Sequence, residues 1–244
     1  MAKRVNRKNR QDISAEWDRI CFERQSIIEQ GKDLSLTTVT CPCILRNLKP
    51  LNPKNVLDIG CGTGYLTYQL AGITSKCTGI DFSDRSIQIA KTHYRRDNLT
   101  FECCAIEDFT PSEHFDACVA NMVFTSTANW LEILEHIHNL MSEDGHFLLT
   151  VTHPWFWPRY WGYQNEPWFD YKKELHIEHD FKTSLSTSIG TTTHIHRSLS
   201  QYINGIISAG YAIEKIEEPY PTVSTPSEYH YDYPRFLFIQ CKRH

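Results

Sequence analysis

The clearest chemical signal in this chain is a glycine-rich turn that joins a strand to a helix. A short apolar strand, Val56 to Ile59, is followed at once by glycines at positions 60, 62 and 64. Because glycine has no Cβ, a ligand can approach this backbone closely, and the free N–H groups of the next helix favour polar or anionic groups. Asp81 ends the next apolar stretch, where a carboxylate can accept both hydroxyls of a ribose. Together these residues predict a crevice that binds a nucleoside.

The spacing of the glycines indicates which nucleoside is bound. The dinucleotide fingerprint is G-x-G-x-x-G. In this chain Tyr65 occupies the sixth position of that pattern, and its side chain is too large for close packing of helix and strand. The run D-I-G-C-G-T-G from Asp58 to Gly64 instead resembles motif I of the class I S-adenosylmethionine-dependent methyltransferases. The resemblance implies S-adenosyl-L-methionine as the cofactor and argues against a nicotinamide-dependent oxidoreductase.

The resemblance implies roles for individual residues. The three glycines would form the cofactor turn, and Asp58 would orient it from the end of the strand. Asp81 would hold the ribose, with Phe82 beside the adenine. After the third strand, Ala105 stands where family members commonly have an acidic residue, so Ile106 is expected to offer its backbone N–H to the adenine ring. The residues expected to bind the cofactor are Asp58, Gly60, Gly62, Gly64, Asp81, Phe82, Ile106, Glu107 and Asn121.

Two of those assignments depend on local geometry. Glu107 can supply the missing carboxylate only if the turn after the third strand shifts by a position or two. Asn121 ends the fourth strand and matches the family segment that passes the methionine end of the cofactor and faces the acceptor. For Asn121, a role as a turn residue is an equal alternative.

The order of apolar segments predicts an α/β fold. Strands are expected near 55–59, 77–81, 99–103, 115–120 and 145–151, with helices near 64–72, 84–94 and 129–141. Such alternation is typical of a parallel sheet with helices on both faces. The resemblance implies a Rossmann-like sheet of seven strands that is mostly parallel, with the last strand antiparallel and an aromatic lid insertion after strand five.

A single domain of 244 residues accommodates this pattern. We expect a basic flexible tail over 1–11, N-terminal helices over 12–53 and a cofactor-binding core over 55–151. A lid and hairpin insertion follows over 152–197, with strands near 181–189 and 191–197 that turn at Gly190. A C-terminal helix and strands then occupy 198–241.

The insertion is rich in aromatic residues and is the expected acceptor site. Prolines at 154, 158 and 167 exclude a regular helix or a central strand there. Trp155, Trp157, Tyr160 and Trp161 are expected to form a lid over a planar or apolar acceptor. The alternative, a small satellite core under a long loop, is nearly as well supported.

Histidines near this segment are candidates for a general base. A sulfonium is already a good leaving group, so the protein mainly has to align the acceptor and exclude water. An amine or hydroxyl acceptor also benefits from a base that removes its proton. His153 is the first candidate because it directly follows the fifth strand. His194, His196 and the substrate-binding candidate Arg197 are the second choices, which would face the pocket from the hairpin; the alternative for this group is a solvated face.

Composition limits the class of protein. The 25 basic and 29 acidic side chains give a net charge of −4, which argues against a general nucleic-acid surface. The basic residues before Asp12 are interpreted as a solubilising arm, with an RNA contact as the alternative. The nine scattered cysteines and the lack of a long apolar run favour a reduced, cytoplasmic protein without a membrane span. The Cys and His pairs lack metal-site spacing, so no metal is expected.

The leading interpretation is therefore a methyltransferase that acts on an oxygen, nitrogen or carbon atom of a small-molecule acceptor. The chain resembles the ubiquinone-biosynthesis-type branch through His196-Arg197, Ala209-Gly210-Tyr211 and Glu218-Pro219. An RNA or protein methyltransferase and a non-catalytic S-adenosylmethionine-binding subunit are the alternatives. The fourth strand ends without the N/D-P-P-Y/F run of enzymes that methylate base amines, which makes nucleic acid an unlikely partner. No oligomeric state is predicted.

Overall fold

A seven-stranded sheet lies at the centre of the computed structural model, which describes residues 2–244. In chain order the elements are β1 (Lys3–Val5), α1 (Arg10–Glu29), α2 (Cys41–Leu48), β2 (Asn55–Ile59), α3 (Tyr65–Ala71), β3 (Lys76–Asp81), α4 (Asp84–His93), β4 (Leu99–Cys103), β5 (Phe115–Asn121), α5 (Trp130–Leu140), β6 (Met141–Thr152), α6 (Phe156–Tyr160), β7 (Leu175–Phe181), β8 (Gly190–His196), α7 (Leu199–Ser208), β9 (Tyr211–Glu217) and β10 (Phe236–Arg243). A π-helical segment, Ser35–Thr40, precedes α2. None of the helices within residues 2–244 combines the length and the apolar character that crossing a bilayer requires.

The strand order confirms the predicted fold class. The large sheet runs β4-β3-β2-β5-β6-β10-β9, and the pairs from β4 to β6 are parallel. The last strand, β10, lies between β6 and β9 and is antiparallel to both. The chain proceeds from β2 outward to β4 and then returns to place β5 on the other side of β2. Ligands of open α/β sheets bind at such a switch point, beyond the carboxyl ends of the strands.

The sheet has an apolar core on each face, and consecutive residues of one strand contribute to opposite cores. Leu57 and Leu149 face a core that is completed by α5 and α7, whereas Val56 and Leu148 face one that is completed by α2 and α3. Neighbouring residues point to opposite faces because the side-chain period of a strand is two. Both faces of the central strands are therefore covered, and the open part of the sheet is its edge of strand ends.

Residues 2–11 are ordered, which contradicts the expectation of a flexible tail over 1–11, of which Met1 lies outside the described residues. Strand β1 pairs antiparallel with β7, so that Lys3 lies opposite Glu178. Lys8 forms ion pairs at 2.5 Å with both Glu16 and Glu178. Lys8 and Arg10 have acidic partners elsewhere in the chain, and Arg7 donates to the Ala128 carbonyl. These contacts explain why the segment forms structure rather than a solvated arm.

The hairpin also differs from the prediction. Its strands are β7 and β8, and Gly190 begins the second strand opposite Phe181 instead of forming the turn. The segment over 182–189 is a loop in which the hydroxyl of Ser186 accepts a hydrogen bond from the Thr183 N–H. Serine and threonine side chains compete with strand pairing in this way, which explains why alternating residues there do not form a strand.

A buried carboxylate attaches α1 to the hairpin. Glu16 accepts hydrogen bonds from the Thr193 N–H at 2.7 Å and from the Thr193 hydroxyl at 3.0 Å, in addition to its ion pair with Lys8. Only 5% of Glu16 is exposed. These contacts hold the following residues of α1, among them Trp17 and Arg24, against the site that is described next.

We expect the substitution Glu16→Ala to lower the free energy of unfolding by about 3 kcal/mol, because it leaves Lys8 and the Thr193 N–H without their buried acceptor. Urea unfolding followed by circular dichroism measures the change. Glu23→Ala on the exposed face of the same helix is the matched control and should change stability by less than about 0.5 kcal/mol. Equal effects of the two substitutions would contradict the role of Glu16.

Candidate active site

Three connected cavities follow the carboxyl edge of the large sheet. The central cavity has a volume of about 170 Å³ and lies against the glycine turn and α1. The apolar cavity, of about 60 Å³, shares Gly60, Asp81 and Val123 with it. The aromatic cavity, of about 130 Å³, shares Trp17, Arg24 and the end of β5 with the central one. The central cavity therefore adjoins both of the others, and the names central, apolar and aromatic are kept below.

The glycines of the turn have different tasks. All three have positive φ angles, of 63°, 54° and 91° at Gly60, Gly62 and Gly64. A Cβ on Gly62 would meet nothing within 4 Å, so this residue opens directly into the central cavity. A Cβ on Gly64 would lie 2.9 Å from the Ala90 Cβ and closer to Phe101. Gly64 does not line the cavities and instead allows α3 to pack, which corrects its predicted role as a ligand contact.

Asp81 connects the turn to the end of β3. Its carboxylate accepts hydrogen bonds from the Gly62 N–H at 2.9 Å and from the Ser83 N–H at 2.8 Å. Removal from water raises the pKa of Asp81 to about 6, although these two bonds act in the opposite direction. Each oxygen uses one lone pair on the backbone, so the carboxylate retains acceptor capacity toward a ligand.

Asp58 lies behind the turn and is 1% exposed. The Thr67 hydroxyl donates to its carboxylate at 2.7 Å. Burial raises the pKa of Asp58 to about 7, and the charge of Asp81 adds to the effect. Among the described residues that line the central cavity, Arg24 supplies the one Lys or Arg side chain. The cavity therefore presents two carboxylates and one guanidinium to whatever it binds.

The apolar cavity lies where adenine was expected. Phe82, Ile106 and Val123 line it, together with Ile59 and Ile133. Glu107 is at its rim, where it accepts a hydrogen bond from the Asn129 amide at 3.1 Å and lies 3.6 Å from the Arg10 guanidinium. The structure thus brings Phe82, Ile106 and Glu107 together around one cavity, with α1 as its cover.

The end of β5 forms the junction between the central and aromatic cavities. The hydroxyl of Thr150 donates to the Asn121 Oδ1 at 2.6 Å, so the amide N–H groups of Asn121 stay available. Met122 has a φ of 66°, in the left-handed region that residues other than glycine rarely adopt. Such strain is concentrated at functional sites, and here it lies at the junction of the central and aromatic cavities.

Three of the four predicted lid residues surround the aromatic cavity. Trp157 has its ring centroid 5.1 Å from those of both Tyr160 and Trp161, and all three line the cavity. The Arg235 guanidinium lies 4.0 Å from the Tyr160 ring centroid and holds that ring by a cation–π contact. These side chains also belong to a small core with Phe236. The same residues therefore form both the cavity wall and the satellite core, two interpretations that the sequence leaves as alternatives.

Trp155 does not belong to this wall. It is 64% exposed, packs edge-on against Tyr171 and lines a separate surface recess. The predicted contact of Trp155 with the acceptor is therefore contradicted. Trp155 directly follows Pro154 and precedes α6, the helical turn that directs Trp157 into the cavity.

His153 is not placed to act as a base. Its Nδ1 accepts hydrogen bonds from the N–H groups of Trp155 and Phe156, so its Nε2 carries the proton and donates to Glu218 at 2.8 Å. Burial lowers the pKa of His153 although Glu218 opposes that shift. Both ring nitrogens are occupied and the residue does not line the cavities. Its structural role is to cap the start of α6.

His196 and Arg197 are also directed away from the cavities. The ring of His196 hydrogen-bonds to the Tyr171 carbonyl at 3.1 Å, and burial lowers its pKa to about 4. The Arg197 guanidinium donates to the carbonyls of Phe124 and Thr127, each at 2.7 Å, and to Glu174 at 2.7 Å. Arg197 therefore does not contact the acceptor but fixes the loop after β5, which lines all three cavities.

Several lining residues were not predicted from the sequence. Arg24 pairs at 3.2 Å with the buried carboxylate of Asp33, and both line the aromatic cavity. Ser35 and Leu36 reach it from the π-helical segment, a geometry that is frequent at functional sites. The helical spacing of Trp17 with Cys21 was visible in the sequence and is the one signal that pointed to α1. Of the three second-choice residues His194, His196 and Arg197, His194 is the one that lines this cavity.

Comparison with known proteins agrees with this geometry. A family model described as a methyltransferase domain matches residues 52–189. A malonyl-[acyl-carrier protein] O-methyltransferase of Bacillus cereus is 35% identical over 98 residues, which are 39% of this chain and 36% of that protein. A ubiquinone biosynthesis O-methyltransferase of Glaesserella parasuis is 34% identical over 106 residues, which are 40% of this chain and 45% of that protein. The chain thus aligns with less than half the length of these relatives.

Solved structures resemble the whole fold. An S-adenosylmethionine-dependent methyltransferase from Mesorhizobium loti superimposes with a TM-score of 0.65 at 23% identity, over 83% of this chain and 96% of that one. This likeness shows the fold, and the family match covers more than half of the chain, including the glycine turn and Asp81. The chain therefore belongs to the methyltransferase-domain family and has the fold of the S-adenosylmethionine-dependent methyltransferases.

Proposed function

We propose that this enzyme transfers the methyl group of S-adenosyl-L-methionine to a small-molecule acceptor held in the aromatic cavity. The observation that carries the proposal is the order of the three cavities. An apolar cavity, a central cavity with carboxylates and a guanidinium, and an aromatic cavity follow one another. This order matches an adenine, a ribose with an amino acid, and an acceptor beyond them.

The residues present fit the cofactor. Gly62 leaves open space at the turn, and the carboxylate of Asp81 has lone pairs left for two ribose hydroxyls. The amino acid part of the cofactor carries an ammonium and a carboxylate, and the central cavity offers Asp58 and Arg24 as partners of opposite charge. The cofactor itself supplies a methyl group on a positively charged sulfur, which is a good leaving group.

The protein's task is then to align the acceptor and exclude water. Asn121 and Met122 line both the central and the aromatic cavity, so an acceptor in the aromatic cavity meets the transferred methyl group at that junction. Trp157, Tyr160 and Trp161 offer flat apolar walls that suit a planar molecule. Both relatives named above are O-methyltransferases, which supports oxygen as the methylated atom.

The first experiment measures transfer of labelled methyl from S-adenosylmethionine into a cell extract, followed by separation according to size and to nuclease or protease sensitivity. We expect label in the small, extractable fraction. Asp81→Asn should lose at least about 90% of the label, because a charge-assisted hydrogen bond contributes about 1.5–3 kcal/mol to binding. Label in RNA or protein would contradict a small-molecule acceptor, and saturable cofactor binding without any transfer would favour a non-catalytic subunit.

The substitution Asp58→Asn separates stability from binding. The folded chain keeps a proton on Asp58 up to a pKa of about 7, whereas the reference value is 3.8. Raising the pH through this window therefore lowers the stability of the folded protein. Asp58→Asn should raise the stability of the cofactor-free protein, by more at pH 8 than at pH 5, while it weakens cofactor binding about tenfold.

Urea unfolding at the two pH values and calorimetric titration with S-adenosylhomocysteine measure these effects. Asp97→Asn, at an exposed position, is the matched control and should change neither quantity. A stability difference between Asp58→Asn and the wild type that is the same at both pH values would show that burial of this carboxylate is not the cause.

A third prediction concerns the aromatic wall. Replacing both Trp157 and Tyr160 by alanine should raise the KM of the acceptor by tenfold or more, because two contact surfaces are lost. The Kd of the cofactor should stay within about twofold of the wild-type value. Trp155→Ala, which removes an exposed aromatic outside the cavity, should leave both constants unchanged. An unchanged acceptor KM in a folded double variant would disprove the acceptor-site assignment.

A further inference from the structure

His194 differs from the other histidines near the insertion. It is 6% exposed, lines the aromatic cavity and lies between two tryptophans, with ring centroids 6.2 Å from Trp157 and 5.5 Å from Trp161. Among residues 2–244, neither ring nitrogen of His194 has a hydrogen-bond partner. A buried polar group without a partner is unfavourable, so its place at a cavity wall points to a partner that comes from a ligand.

Its neighbours illustrate the contrast. His153 has both nitrogens occupied by Glu218 and by the N–H groups at the start of α6, and His196 is bonded to the Tyr171 carbonyl. Neither of them lines the aromatic cavity. His194 follows Thr193 on β8; the N–H and hydroxyl of Thr193 both donate to Glu16, and the two residues line the aromatic cavity together.

Burial lowers the pKa of His194 well below its usual value. The positive charges of Arg197 and of His196, His176 and His179, when protonated, act in the same direction. The ring is therefore neutral at physiological pH, with one N–H donor and one nitrogen acceptor. A neutral imidazole is the form that can receive a proton.

We propose that His194 receives the hydrogen bond, and then the proton, of the atom that becomes methylated. The proposal rests on the function proposed above and specifies its acceptor as an uncharged, planar molecule that carries an O–H or N–H group. The acceptor's oxygen or nitrogen forms its bond to the methyl carbon with the electron pair that its proton leaves behind. The proton passes to the free nitrogen of His194, and the electron pair of the broken methyl–sulfur bond stays on sulfur.

The charges around the cavity support an uncharged acceptor. Asp33 is already paired with Arg24 at 3.2 Å, so this carboxylate is compensated and does not favour a cation. Lys182 is exposed. An ion within the aromatic walls would lose its hydration without a dedicated partner, which is strongly unfavourable. A neutral planar ring that donates one hydrogen bond to His194 carries no charge into the aromatic walls, and it supplies the hydrogen-bond partner that His194 lacks.

The test uses 4-methylphenol and 4-methylanisole as probes, because both are uncharged at neutral pH, share a ring and differ by the O–H group. Their affinities for the protein saturated with S-adenosylhomocysteine are measured by calorimetry, so no methyl transfer is involved. The wild type should bind the phenol about five- to tenfold more tightly than the ether, which is the effect of one hydrogen bond. His194→Phe keeps the ring but should abolish this preference.

Two further variants separate the role of the nitrogen from a loss of folding. His194→Gln provides a hydrogen-bond acceptor without a basic nitrogen, so it should recover part of the preference but not turnover with an identified acceptor. His196→Gln, a substitution outside the cavity, should keep the wild-type preference.

The outcomes distinguish the two proposals. Failure of the wild type to bind S-adenosylhomocysteine would overturn the proposed function itself. Normal cofactor binding with an equal phenol preference in the wild type and in His194→Phe would overturn the role of His194. Binding of neither probe to the cofactor-saturated wild type would overturn the assigned class of acceptor.

Discussion

The site depends on two carboxylates that the fold removes from water at adjacent strand ends. Burial raises the pKa of Asp58 to about 7 and that of Asp81 to about 6, while hydrogen bonds from Thr67, Gly62 and Ser83 oppose the rise. Their charged forms are unfavourable until a cationic or hydrogen-bonding ligand arrives. The glycine turn is held by the same Asp81, so the shape of the turn and the charge of the crevice are set by one side chain.

The loop after β5 connects the carboxylates of the central cavity with the aromatic cavity, because it lines both. Ser126 and Thr127 line the central and apolar cavities, and Arg197 binds the carbonyls of Phe124 and Thr127. A guanidinium suits this task because its planar donors remain charged and fixed in direction. Arg197 comes from the strand–helix junction after the hairpin. The insertion therefore contributes to the stability of the central and apolar cavities as well as to the aromatic cavity.

The sequence predicted those parts of the fold that depend on local patterns. The strand–glycine–helix unit at 56–71 follows from apolar residues beside three glycines, and the alternation after it specifies a parallel sheet. Strand β1 has no such pattern, because its pairing depends on a partner strand at Leu175–Phe181, far along the chain. His153 was rightly placed after the fifth strand, but its function is decided by Glu218, which no spacing rule connects to it.

The aromatic cavity and the glycine turn are built largely from different elements of the fold. Elements α1, α6, β8 and the π-helical segment supply much of the wall of the aromatic cavity, and none of them carries the glycine turn. Helix α1, Leu36 and the end of β5 also line the central cavity. Three histidines near the insertion differ in their hydrogen-bond partners rather than in residue type. His153 caps a helix, His196 binds a carbonyl, and His194 has no hydrogen-bond partner among the described residues. Substitutions in the cavity wall can thus change the acceptor while Asp81 and its turn stay as they are.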